Sequence, residues 1–223
     1  VRSTRASAGG ALLTALCLVC LAVTAWALRP LVVQPEVSVR LEGGVGPVRH
    51  PDFDRIDAVL QARAPGWGME LRAHVAQAIA EEAQGAGFDP LLVLAIISVE
   101  SEFREGAVSI VGAQGLMQVR PTTLLFVAEK EGIKLSQREI EADPSLNVRL
   151  GVRYLKSMRE FFHGNLDLAL MAYNAGPTRV CVAMRERNLE QFHGYPHAVK
   201  MQFSALKLEH GEPNDWTLAS RER

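Results

Sequence analysis

The sequence predicts a mainly α-helical domain, and three observations carry that prediction. From residue 69 onward apolar residues recur at three-to-four spacing, the period of a helix face. Asp-Pro pairs and glycines punctuate that stretch as helix starts and stops do. Strand signals, meaning strict alternation over four to eight residues, are almost absent. At 223 residues the chain has room for one good-sized domain with appendages, and 48% hydrophobic content is enough to build its core.

Taken in order, residues 6–28 form an uncharged, largely apolar run behind Arg2 and Arg5. At about 1.5 Å per residue such a run crosses a hydrocarbon core of roughly 30 Å. The preceding arginines favour a cytoplasmic N-terminus, with everything after residue 29 outside. Residues 1–28 are therefore expected to be a signal peptide or a signal-anchor helix. Ala25-Trp26-Ala27 has the form of a cleavage site, while the length equally suits a retained anchor. Residues 29–68 carry five prolines and the glycines 43, 44 and 46, and are expected to be a linker, with a short helical pattern at 53–64.

The expected domain covers 69–208, followed by a polar tail at 209–223. Its first helix runs from Met69 to the glycines 85 and 87. Asp89 and Pro90 cap and open a second, with the body LLVLAIISVESEF. Further helices are expected at 121–131, at 144–162 behind Asp143, at 166–173, at 177–188 and at about 196–209. No internal repeat occurs.

Several function classes drop out. Net charge is −1 with no basic block, which argues against a nucleic-acid partner. Cys17 and Cys20 lie within the apolar run and Cys181 stands alone among Val180, Val182 and Met184, so neither a disulfide framework nor thioredoxin-type chemistry is expected. Pro196 between His193 and His197 spoils a continuous helical metal face, and no metal site is expected. Arg185, Glu186, Arg187 and Glu190 read as a solvated helix face.

The helix around 91–103 carries the chemistry. Val93, Ile96 and Ile97 share the face of Glu100, so its carboxyl should be partly desolvated and protonated near neutrality. A general acid for glycosidic cleavage requires that state, because the leaving sugar oxygen must receive a proton. Glu102 points about 200° away on a helix and is a poor second carboxylate; Glu105 falls in a loop. Then follows Gly112-Ala-Gln-Gly115-Leu116-Met117-Gln118, where glycines permit close backbone approach and Gln118 offers donor and acceptor to a sugar. Later, Tyr173 and Asn174 stand just before a helix break at Gly176-Pro177.

Together VESEF, GAQGLMQ, DPSLNVRLGVRYL and ALMAYNAGP, in that order, resemble the soluble lytic transglycosylase family over about residues 70–185. The resemblance implies a mainly α, lysozyme-like α+β fold and an enzyme that cuts peptidoglycan glycan strands in the cell envelope without cofactor or metal. It implies Glu100 as lone catalytic acid/base, protonating the oxygen between N-acetylmuramic acid and N-acetylglucosamine. Glu100 would then act as base on the muramic 6-hydroxyl, which closes to a 1,6-anhydro sugar. Gly115, Leu116, Met117 and Gln118 would line the groove, Tyr173 would orient Glu100, Asn174 would hold substrate, and Ser101 would help position the carboxylate.

Two other readings are weighed: a lysozyme-like hydrolase, and a catalytically weak glycan-binding scaffold of an envelope-spanning machine such as a secretion system or pilus. Near the C-terminus the chain departs from the family pattern of a tyrosine-valine pair opening the last helix. Here FHGYPHAVKM leaves two possibilities: Tyr195 fills the role from a shifted position, or Ala198 has replaced the tyrosine.

Overall fold

The computed structural model describes residues 50–216 and residue 219. The expected signal or anchor at 1–28 and the linker up to residue 49 lie outside the described residues. None of the described helices is long and apolar enough to cross a membrane.

The described chain is helical: α1 (Phe53–Arg63), α2 (Met69–Ala86), α3 (Pro90–Ser101), α4 (Pro121–Lys130), α5 (Gln137–Ala142), α6 (Pro144–Phe161), α7 (Leu166–Ala175), α8 (Pro177–Glu186), a 3₁₀ turn at Glu190–Phe192 and α9 (Gly194–Glu209). No strand occurs among the described residues. The β component of the expected fold is reduced to two antiparallel bridges, Val108 with Gln114 and Gln114 with Val119, which shape the loop after α3.

α3 lies at the centre because it is apolar on every side. Residues 91–97 are all fully buried. It packs against α2, α9 and α1, while α6 packs against α2, α4 and α7. Its start is set as the sequence indicates: Asp89 accepts from the Leu91 N–H at 2.9 Å and Pro90 occupies the first turn. Asp143 caps α6 the same way, accepting from Ser145 and Leu146. α2 stops at Gly87, which takes a left-handed conformation (φ +66°). There Arg159, buried, donates to the Ala86 carbonyl at 2.7 Å and lays its guanidinium 4.5 Å from the Phe88 ring centre.

The expected boundaries prove too narrow at both ends. Segment 53–64, assigned to the linker, contributes Phe53, Ile56, Val59 and Leu60 to the same core. The tail is also packed. Trp216 meets Phe203 edge-on at 5.6 Å, and the Ala219 carbonyl accepts from the Asp89 N–H. Beneath that tail, Lys207 is almost buried between Asp89 and Glu212, 2.6 Å from each, and Arg55 of α1 bonds both carboxylates. This cluster ties α1, the start of α3, α9 and the tail together. α5 was not anticipated; Ser136 and Glu139 cap it reciprocally.

Candidate active site

α3 ends at Ser101, earlier than its sequence pattern suggests, because Glu102 and Phe103 take left-handed conformations (φ +51° and +62°). Glu100 is thus the last residue but one of a buried helix, and it is half-buried. Each fully buried Leu, Ile or Val of α3 contributes about 1.5–3 kcal/mol. That sum far exceeds the cost of holding one carboxyl where water is scarce. Burial pushes the Glu100 carboxyl up from 4.5 to about 7, and a hydrogen bond from Tyr195 partly opposes the rise.

Tyr195, in the first turn of α9, donates its hydroxyl to Glu100 Oε1 at 2.5 Å. Of the two possibilities left by the divergent C-terminal stretch, the structure takes the first. Tyr195 meets Glu100 directly, α9 packing against α3. Burial, reinforced by the neighbouring carboxyl, pushes the phenols of Tyr195 and Tyr173 well above their usual range, so both remain neutral donors.

Tyr173 does not hold Glu100. Its hydroxyl donates to the Met117 carbonyl at 2.7 Å. It is instead the middle of an aromatic row, stacked on Tyr195 (centroids 6.4 Å, 16° between planes) and tilted against Tyr154 at 5.4 Å. Ser101 likewise turns away from the carboxylate. Its hydroxyl is buried, 2.9 Å from the Leu116 carbonyl and 3.1 Å from that of Ile97, and so ties the end of α3 to the loop.

In that loop Leu116 and Met117 are fully buried, so their side chains fill core and do not line a groove. Gly115 has φ +75°, and a Cβ there would stand 2.6 Å from Asn147 Cγ. Gln118 also takes a positive φ, +47°. Its Nε2 donates to the carbonyls of Ala107 (2.9 Å) and Gly115 (2.8 Å). Both amide hydrogens are thereby spent, and only the oxygen remains to meet a ligand, as an acceptor.

A groove of about 620 Å³ opens beside this loop, lined among others by Gln118, Tyr154, Tyr173, Asn174, Arg120 and Arg179. Asn174 is exposed within it. The tyrosine row links the groove to Glu100. None of the described residues lining it is Asp or Glu, Glu100 included, and the carboxyl is reached only through that row. Gln118, Tyr173 and Asn174 are therefore brought together, whereas Ser101, Leu116 and Met117 support the site from behind. Sequence reasoning named Tyr195 without placing it and missed Tyr154 and Asn147. All three lie on helix faces whose partners are distant in sequence.

Residues 77–193 match the family model described as the transglycosylase SLT domain. Over 88 residues the chain is 36% identical to the soluble lytic murein transglycosylase of Escherichia coli K12, covering 39% of this chain and 14% of that protein. Over 108 residues it is 40% identical to the membrane-bound lytic murein transglycosylase C of Haemophilus influenzae PittEE, covering 44% and 30%. An inactive mutant of lytic transglycosylase Slt from Pseudomonas aeruginosa superposes with TM-score 0.55 at 28% identity, covering 78% of this chain and 30% of that one. The 70 kDa soluble lytic transglycosylase of Escherichia coli gives TM-score 0.57 at 23% identity, covering 76% and 30%, a likeness of fold. The chain thus spans under a third of the length of each of these relatives.

Proposed function

The chain belongs to the transglycosylase SLT family, and from that premise we propose that it is a peptidoglycan lytic transglycosylase with Glu100 as acid and then base. The observation that carries the reading is a half-buried carboxyl raised to about 7 and gripped by a neutral phenol, which an aromatic row joins to a groove. A carboxylic acid in that state holds a proton at neutral pH and can deliver it to the oxygen between N-acetylmuramic acid and N-acetylglucosamine.

Once it has given up the proton, the carboxylate is stabilised by the Tyr195 hydroxyl and becomes a base of matched strength. It would then take the proton of the muramic 6-hydroxyl, whose oxygen closes onto the anomeric carbon to give a 1,6-anhydro end. A hydrolase that inverts needs a second carboxylate about 6.5–9.5 Å from the first to activate water. Closure by the sugar's own 6-hydroxyl needs no such partner, because the one carboxyl serves first as acid and then as base. Gln118 Oε1 would accept from a sugar hydroxyl or acetamido N–H, and Asn174 would hold the strand on the opposite wall. The relatives are named as soluble and as membrane-bound enzymes. With the apolar run at 6–28, the proposed setting is the periplasmic face of the inner membrane, after signal cleavage or anchored, with a secretion system or pilus as the machinery it could serve.

Mass spectrometry of the soluble products from purified sacculi tests the reading. Fragments one water lighter than reducing muropeptides are expected. Reducing ends would make the protein a hydrolase, and no release of fragments by the folded protein would make it a binding scaffold.

A further inference from the structure

One motif shared with the family remains without a role in the chemistry above: the helical segment DPSLNVRLGVRYL, which forms the first part of α6. Its residues Asn147, Gly151 and Tyr154 fall at i, i+4 and i+7 and so share one face. Each meets the site. Asn147 is buried, and its amide is used at both ends. Oδ1 accepts from the Met117 N–H at 2.9 Å, and Nδ2 donates to the Gln114 carbonyl at 3.1 Å. The amide thus grips the backbone on either side of Gly115. It lies so close that a Cβ at Gly115 would stand 2.6–2.8 Å from its Cγ, Nδ2 and Oδ1. One helical turn on, a Cβ at Gly151 would stand 2.7 Å from Met117 Cβ, so the absent side chain lets Met117 sit against α6. A further turn on, Tyr154 meets Tyr173 and lines the groove.

We propose that Asn147 is a positioning residue that fixes loop 114–118 and, through it, presents Gln118 to the glycan; this rests on the glycan-cleaving reading of the groove. Leu116 and Met117 anchor the middle of the loop in the core, but packing does not hold its start at Gln114 and Gly115. There it borders a second cavity of about 260 Å³, lined by Gln114, Gly115 and Asn147 among others. The hydrogen bonds of the amide supply what packing there does not. No other side chain of this size offers an acceptor and a donor in one plane: Asp when ionised has no donor, and Leu has neither. Because Gly115 O receives one of the two Gln118 amide hydrogens, a loop released from Asn147 also releases the orientation of Gln118.

The test uses the full chain, with glycan binding measured on sacculi in the Glu100→Gln background and turnover measured with Glu100 intact. Asn147→Ala is expected to weaken binding to sacculi by roughly tenfold, because a loop freed of these two hydrogen bonds must be reordered as the glycan binds. With Glu100 intact, the loss should fall mainly on KM. The pH at which activity declines should stay where Glu100 sets it, since Glu100 is held by α3 and Tyr195. Hydrogen exchange at the Met117 amide should quicken in the free protein. That last readout needs no glycan, so it still tests the loop if the enzyme assignment fails. A merely structural asparagine would lower thermal stability while the folded fraction bound normally. Normal binding by the folded fraction, or unchanged exchange at Met117, would overturn the proposal. Should Asn147→Ala not fold, Asn147→Asp serves, because the acid retains the acceptor and regains a donor once protonated. Its binding, relative to the Glu100→Gln parent at each pH, should recover as pH falls; a flat ratio would overturn the proposal.

Discussion

Replacing Glu100 with glutamine should do two opposite things, and their sizes follow from one number. In the folded protein the carboxyl titrates at about 7, against 4.5 for the free side chain. Between those values the folded form keeps a proton that the unfolded chain gives up. Stability is therefore lost as pH rises through that window and levels off above about 7. At about 1.4 kcal/mol per pH unit, the full loss is about 3 kcal/mol. Glutamine carries no such penalty. It matches the carboxylic acid in size, and its oxygen can still accept from Tyr195.

The Glu100→Gln protein should consequently match wild type near pH 4.5 and exceed it by about 3 kcal/mol at pH 8. For a domain of this size that amounts to roughly 6–12 °C in Tm. Tyr195 and Tyr173 stay neutral across the window, and the remaining groups titrate alike in both proteins, so the difference isolates Glu100. Urea melts of both proteins at pH 5, 6, 7 and 8 measure it. At the same time cleavage of sacculi should cease. A stability difference that stays flat from pH 5 to pH 8 would refute the claim that Glu100 is held in a desolvated place, even if activity were lost.

Three further outcomes are expected. Tyr195→Phe removes a donor that favours the ionised carboxylate, so Glu100 should titrate higher still; the alkaline limb of the kcat/KM profile should move up and the rate should fall about tenfold. Lys207→Met leaves Asp89 and Glu212 with only Arg55 between them beneath the tail and should cost about 1.5–3 kcal/mol in denaturant melts, with normal turnover per folded molecule. Gly115→Ala combines a left-handed backbone with a Cβ pressed onto the Asn147 amide. It should cost at least about 1–3 kcal/mol of stability and, unlike Lys207→Met, should lower turnover of the molecules that remain folded.

The sequence made legible whatever is decided within a few turns of chain. Asp89 and Asp143 announce their helices because a cap needs only the next two residues, and the desolvation of Glu100 follows from the apolar stripe just before it. The errors of extent have local causes too. Pro51 and Pro65 made a linker of the intervening stretch, although Phe53–Arg63 contains no proline and buries its apolar face. Ser136 and Glu139 form a capping box in plain view, but six residues with one buried position, Ile140, show no period to notice.

What could not be read is whatever two distant segments decide between them. Glu100 and Tyr195 stand 95 residues apart and meet because α3 and α9 pack together. The direction of each side chain in loop 114–118 follows no period, so Leu116 and Met117 could be taken for groove residues. Asn147 and Gly151, some thirty residues on, turn them inward. The same division explains why a motif can outlast the loss of one of its parts. Which residue supplies the phenol is set by where α9 lies against α3, and Tyr195 in the first turn of α9 reaches the carboxyl. A carboxyl at the end of a buried helix has no such freedom, because its desolvation depends on that one place in the core. The acid should therefore tolerate no relocation, whereas its hydrogen-bonding partner can be supplied from more than one position on the facing helix.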